Sequence, residues 1–193
     1  MNRQKKKLNK NEWDCRTVPH STAAGFIRRF HYAGGTSNTS QVRLGLFRKS
    51  DFFDTQLMGS CLWMWAPIQV TKQYKTGKTG CLSLSRLAIH PDVPTNGASF
   101  LIGQSIKWIK KNRPGVRLLV TYADSWKDHS GQIYKATNWE YLGLTTPSPR
   151  WTNSAGQLVS RYCCGKSRRY EEMDRLYTRE GKFGLHKFIM WIR

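Results

Sequence analysis

The sequence predicts a single α/β domain with a mixed central sheet flanked by helices. Three observations carry that prediction. Between Cys81 and Tyr122 the chain reads strand, helix, strand, the order of a parallel βαβ unit, whose crossover is right-handed. Two further strand signals, Gln41 to Arg48 and Leu57 to Trp65, precede that unit and suit antiparallel pairing. A chain of 193 residues with 39% hydrophobic and 12% aromatic content has enough apolar surface for one packed core.

The elements follow in order. Residues 1–19 read as a basic arm and an extended lead-in, and 20–193 as the main domain, because Met1 to Asn11 carries Arg3, Lys5, Lys6, Lys7 and Lys10 with no acid. Ser21 or Thr22 is placed to cap a helix through Phe30, with Ala23, Phe26, Ile27 and Phe30 on one face. Two glycines then follow His31 and Tyr32, so backbone at that helix end can bend close to a ligand. In Gln41 to Arg48, Val42, Leu44 and Leu46 alternate with Arg43 and Gly45. Leu57 to Trp65 is a continuous apolar run punctuated by Gly59, a central strand with a bulge. Lys49 to Asp54 between them reads as a hairpin turn.

Gln69 to Gly80 has two glycines and no hydrophobic period, so it reads as a mobile basic loop with Lys72, Lys75 and Lys78. Leu82, Leu84, Leu87 and Ile89 mark a strand ending at Pro91. Asn96 caps a helix with Ile102, Ile106 and Ile109 on its inner face, and Val116 to Tyr122 is the parallel partner strand. Ser130 or Asp128 opens a short helix ended by Asn138, and Trp139 to Leu144 returns as a strand. Pro147 and Pro149 are expected to close the regular part of the domain. Beyond them stand a strand-like LVSRYCC, an exposed helix in Ser167 to Gly181, and a last strand around FIMWI.

Net charge is +20 and the pI about 10.2, which points to a polyanion, nucleic acid first. Candidate phosphate contacts are Lys5, Lys6 and Lys7 of the arm, Lys72, Lys75 and Lys78 of the loop, and Arg168 and Arg169 near the far end. Adjacent Cys163 and Cys164, with no CxxC spacing, argue against a zinc module and for reduced thiols. No run approaches the roughly 18 apolar residues of a membrane span, and no secretory leader is legible, so a cytoplasmic protein is expected. A helix start just past a strand end is a ready anion site, here the amides of Asn96, Gly97, Ala98 and Ser99.

Antiparallel strands, then strand, anion loop, helix and strand, then a short helix with a tyrosine, is the order of the GNAT acyltransferases. GQIYKATNWEYLG resembles their late motif, in which a tyrosine stands beside the acyl-CoA sulfur. The usual Q/R-x-x-G-x-G/A loop is replaced by Asn96-Gly97-Ala98-Ser99, so acetyl-CoA is an alternative cofactor without its customary pyrophosphate loop. The set FHYAGG, LSRLAIHP, NGASFL, YAD and HSGQIYKATNW, over roughly Phe26 to Leu144, resembles the Mom family of phage DNA-modification proteins.

That resemblance implies a phage-encoded, GNAT-derived enzyme that converts adenine in double-stranded DNA to an N6-carbamoylmethyl form and protects the DNA from restriction. It implies iron at His31, Tyr32 and Asp124, and active-site roles for Arg86, Ser99 and Tyr134. Imidazole, phenolate and carboxylate suit iron. Read singly, Arg86 also suits pairing with a surface acid, Ser99 a first-turn cap, and Tyr134 the core. Adenine buried in a duplex must be extruded to react, and Trp63, Trp65, Tyr122 and Trp126 are aromatic candidates for its slot. Two other functions stay open: a CoA-dependent N-acetyltransferase of RNA or protein amines, and a DNA-binding scaffold without chemistry.

Overall fold

The computed structural model describes residues 6–36, 38–49, 56–163 and 166–192. Its main sheet has seven strands. In chain order they are β1 (Trp13–Thr17), β2 (Val42–Arg48), β3 (Leu57–Trp65), β4 (Cys81–Ile89), β5 (Leu118–Asp124), β6 (Glu140–Leu144) and, at the C-terminal end, β12 (Leu185–Trp191). Their spatial order is β1-β2-β3-β4-β5-β12-β6. Only β4 and β5 run parallel, Cys81 opposite Leu118 through Leu84 opposite Thr121; every other pair is antiparallel.

Strand parity divides the core between two faces. Cys61, Trp63, Leu82 and Leu84 face α3 (Gly97–Asn112), whose Leu101, Ile102 and Ile109 are buried against them. Leu62 and Ala88 face the other way, onto α1 (His20–Phe30) and its buried Ala23, Phe26 and Ile27. Each such large side chain removed from water contributes roughly 1.5–3 kcal/mol. The step from Leu84 to Leu87 breaks the two-residue rhythm, and the structure gives the reason. Leu62 pairs with Arg86 and Trp63 with Leu84, so Ser85 is an extra residue in β4. Its hydroxyl donates to Leu62 O at 3.0 Å.

Past that bulge β4 and β5 no longer pair. Ser85–Ile89 and Tyr122–Asp124 diverge and open a cleft between parallel strand ends. Gly131 stands before α4 (Gln132–Lys135) with φ 73°, and a Cβ there would run into the Phe188 ring. Glycine is what lets α4 and β12 approach so closely.

Several expectations change. α1 begins at His20 behind Pro19 with no side-chain cap, so neither Ser21 nor Thr22 caps it. Asn96 does hold the N-cap position of α3, but at φ 70° and with no side-chain cap bond. The stretch expected as a mobile loop contains α2 (Ile68–Gln73). Its Val70 docks with Ala66, Cys81, Leu118 and Val120, contacts that a six-residue helix is too short to show as periodicity. Regular structure does not close at Pro149. β7 (Ser148–Thr152), β8 (Leu158–Val159) and β11 (Thr178–Phe183) form a second sheet in the order β11-β7-β8. Proline is tolerated there because it sits near the start of its strand. The exposed helix expected over Ser167 to Gly181 shrinks to α5 (Tyr170–Leu176), since Thr178 onward pairs with β7. A hairpin of β9 (Tyr162–Cys163) and β10 (Lys166–Ser167) precedes it. The turn expected in Lys49 to Asp54 and the side chains of Cys163 and Cys164 lie outside the described residues. No helix among the described residues is long and apolar enough to cross a membrane.

Candidate active site

The diverging ends of β4 and β5 floor a cavity of about 1220 Å³. Residues from four distant parts of the chain meet in it. α1 ends where His31 turns extended, its N–H still donating to Ile27 O. Gly34 at φ 60° then closes a turn on His31 O. That turn presents His31 and Tyr32, stacked at 4.6 Å, to the cavity. β4 contributes Arg86, β5 contributes Asp124, and α4 contributes Tyr134, all of them cavity-lining. The bulge at Ser85 matters here, because it puts Arg86 on the α1 side of the sheet while Leu84 and Leu87 both pack with the α3 cluster.

Asp124 is the hub. Oδ2 accepts from the Tyr32 hydroxyl at 3.4 Å and lies 3.6 Å from Arg150 Nε, while Oδ1 accepts the Trp126 N–H at 3.2 Å. Its backbone carbonyl accepts from His129 N–H, and the His129 ring meets Tyr32 edge-on at 5.4 Å. Arg86 is half-buried and donates through Nε to Gly35 O and through Nη1 to Ser85 O. Among the described residues it has no carboxylate within ion-pair distance. Desolvation lowers its pKa.

Burial, then the charges of Arg86 and His129, lower the His31 pKa to about 4, so the ring is neutral near pH 7. With Nδ1 accepting from Ala33 N–H at 3.1 Å, the proton belongs on Nε2. Burial and the Asp124 charge push the Tyr32 phenol to about 12. Burial likewise raises Tyr134.

His31, Tyr32 and Asp124 all line the cavity, with Tyr32 stacked on His31 and donating to Asp124. In this cluster His31 Nδ1 accepts from Ala33 N–H, Tyr32 keeps its phenol proton and both Asp124 oxygens accept hydrogen bonds, so an iron held there would displace these bonds. Among the described residues no three His, Cys, Asp or Glu side chains stand close enough to share a metal.

Asn96, Gly97, Ala98 and Ser99 do not line the cavity. The Gly97 N–H donates to Pro94 O and the Ser99 hydroxyl to Asn96 O, as in an ordinary first turn. The adjoining Thr95 is tied to Lys6 and Leu8 by backbone bonds, so the described end of the basic arm runs along this loop. For acetyl-CoA, then, the cleft and Tyr134 suit an acyl group, while the pyrophosphate loop lacks its usual residues. Lys72, Lys75 and Lys78 belong to the β3–β4 connection, at the end of β4 opposite the cavity. Arg168 pairs with Glu172 at 3.5 Å and donates to the Tyr177 hydroxyl; Arg169 holds the N-cap position of α5. Lys5 is outside the described residues.

Of the aromatic candidates, Tyr122 alone lines the cavity. Trp63 is fully buried and stacks on Trp139 at 6.3 Å; Trp65 packs against the core; Trp126 sits beneath the Lys127 ammonium at 3.7 Å. The sequence reading missed His129, Arg150, Arg161, Tyr162 and Tyr170, all of which line the cavity. His129 opens the quoted HSGQIYKATNW; Arg150 comes from β7 of the second sheet, Arg161 and Tyr162 from the β8–β9 stretch and Tyr170 from α5, and none of these four carries a local signal of a site.

Comparison with known proteins bears on lineage and fold. The model of the Mom protein family matches residues 12–186. Over 134 residues the chain is 28% identical to the methylcarbamoylase mom of Escherichia phage Mu, covering 68% of this chain and 50% of that one. The chain thus spans about half the length of that relative. Among solved structures, Arabidopsis thaliana NAA60 with a bisubstrate analogue aligns with a TM-score of 0.62 at 12% identity, over 94% of this chain and 98% of that one. A GNAT-family acetyltransferase from Streptococcus pneumoniae aligns at 0.56 and 13% identity, over 94% and 100%. A putative acetyltransferase, yncA of Salmonella typhimurium, solved with its cofactor acetyl-CoA, aligns at 0.54 and 12%, over 95% of each chain. At these identities the structural likeness establishes the fold, and the family match establishes the lineage: the chain belongs to the Mom protein family, carried on a GNAT acetyltransferase fold.

Proposed function

We propose that this protein is a DNA-modifying transferase that acts on the N6 amine of adenine and adds a carbamoylmethyl group, the chemistry its Mom-family resemblance implies; its phage Mu relative bears the name methylcarbamoylase mom. The observation that carries the reading is Asp124 at the cavity wall, with Tyr32 donating to it and Arg150 beside it. Adenine N6 is a poor nucleophile because its lone pair is drawn into the ring. Asp124 accepts an N6–H hydrogen bond and returns electron density to nitrogen as the new bond forms. Asp124 takes the N6 proton as the N6–C bond forms and releases it to solvent through the cavity mouth, while Tyr32, protonated at neutral pH, holds the carboxylate in place by donating to it. As the N6–C bond forms, the bond from the carbamoylmethyl CH2 to its donor breaks, and the donor's leaving group departs with the electron pair. Its negative charge is met by Arg86, which is half-buried and has no acidic partner among the described residues. The cavity accommodates an extruded base, and the +20 charge holds the phosphates around it.

The test is nucleoside mass spectrometry on DNA from cells making the protein. The expected result is adenosine carrying the added group, lost in Asp124→Asn. Unaltered adenosine from cells making folded wild-type protein overturns the proposal. The diverging β4 and β5 and the buried Tyr134 favour one second reading, an amine N-acetyltransferase using acetyl-CoA. Acetyl-CoA turnover on RNA or protein amines, with DNA unchanged, selects it.

A further inference from the structure

One wall of the cavity is built by the second sheet and the β9–α5 region, through Arg150, Trp151, Arg161, Tyr162 and Tyr170. Tyr162 is 66% exposed and Tyr170 45%, an unusual outlay of aromatic surface at a cavity. Tyr170 is braced from behind. Buried Trp151 lies 5.7 Å from its ring, and that indole is fixed by Nε1 donating to Asp174 Oδ1 at 2.7 Å. The Arg161 guanidinium lies over the Tyr170 ring at 4.8 Å. Three acids of this region are already committed, and the fourth, Glu171, makes no ion pair among the described residues. Asp174 pairs with Arg179 at 3.1 Å, Glu172 with Arg168, and Glu180 accepts from Thr152. Among the described residues no carboxylate stands within ion-pair distance of Arg161 or Arg169.

Exposed rings interleaved with uncompensated arginines are what an unpaired nucleic-acid strand binds, because every base has a π-face and every linkage a negative charge. We propose that Tyr162 and Tyr170 are a nucleobase-stacking surface for unpaired DNA at the mouth of the cavity, with Arg161 and Arg169 meeting the flanking phosphates. This rests on DNA being the substrate, but it concerns binding alone, so it stands or falls independently of the transfer chemistry.

The experiment uses the full chain and a short fluorescein-labelled oligodeoxynucleotide, single-stranded or duplex. A second label, 2-aminopurine, replaces a central adenine so that stacking is read as quenching. Wild-type protein is expected to bind the single strand and quench 2-aminopurine. Tyr162→Ala and Tyr170→Ala should each weaken single-strand binding about tenfold and relieve the quenching. Tyr162→Phe should keep both, and Arg161→Gln should flatten the salt dependence. If Tyr170→Ala also unsettles the Trp151 packing, exposed Tyr162 decides the case. Wild-type affinity and quenching in Tyr162→Ala, or a Phe variant as weak as the Ala variant, overturns the proposal. So does loss of acetyl-CoA binding with oligonucleotide binding unchanged.

Discussion

Arg150 reaches from β7 into the cluster around Asp124, and removing it tests whether the second sheet is part of the site. The two charges are 3.6 Å apart, with the side chains 16% and 7% exposed. Coulomb attraction at that distance is about 4–5 kcal/mol at an effective dielectric of 20. Breaking a buried pair from one side costs about 3–5 kcal/mol, and a cavity wetted by solvent reduces this to about 2–3. Arg150→Met should therefore lower the melting temperature by roughly 5–10 °C in a chain of this size. Asp124→Asn is a clean partner, since the amide oxygen still accepts the Trp126 N–H. The double variant should be more stable than the sum of the two losses by about 1–2 kcal/mol, read from thermal or urea unfolding. Strict additivity within error would refute the electrostatic coupling of the two sheets.

Other outcomes follow from the same geometry. Gly131→Ala forces a Cβ into the Phe188 ring and holds a left-handed backbone, so it should cost about 2–5 kcal/mol in unfolding experiments. Because burial holds the His31 pKa near 4 against its ordinary 6.5, the unfolded chain binds more protons between those values, and stability rises with pH across that window. Solvent reaching the half-buried ring limits the effect to about 1–2 kcal/mol, and His31→Gln should remove that component from the pH–stability curve. Ser99→Ala loses only a first-turn bond to Asn96 O and should change stability by under about 1 kcal/mol and leave adenine modification intact.

The fold was legible wherever period and parity were strong. The alternation of Leu44, Leu46 and the run through Trp63 gave the antiparallel strands, and Ile102 and Ile109 gave the inner face of α3. The bulge expected near Gly59 does fall in β3, where Leu46 pairs with Gly59 and Phe47 with Leu57, but the one at Ser85 passes for plain alternation in the sequence. The second sheet was not, because β8 has two residues and β7 and β11 are polar, so their pairing is decided by partners far off in sequence. The site divided along the same line. Glycines after His31 and Tyr32, and the strand end at Asp124, marked one half of the cluster. Arg150, in a polar strand with no periodic signal, joins Asp124 only because β7 folds back over the cleft. Tyr162, in a strand-like stretch, and Tyr170, in a helix, belonged to legible elements, but nothing local marked either as facing the cavity.

The most direct measurement is a crystal structure of the Asp124→Asn protein with an oligodeoxynucleotide carrying one extruded adenine. The account predicts that adenine in the cleft between β4 and β5, its N6 within about 3 Å of residue 124, with Tyr32 and Arg86 around it. An adenine left stacked in its duplex, or seated away from Asp124 on the basic surface, would contradict it.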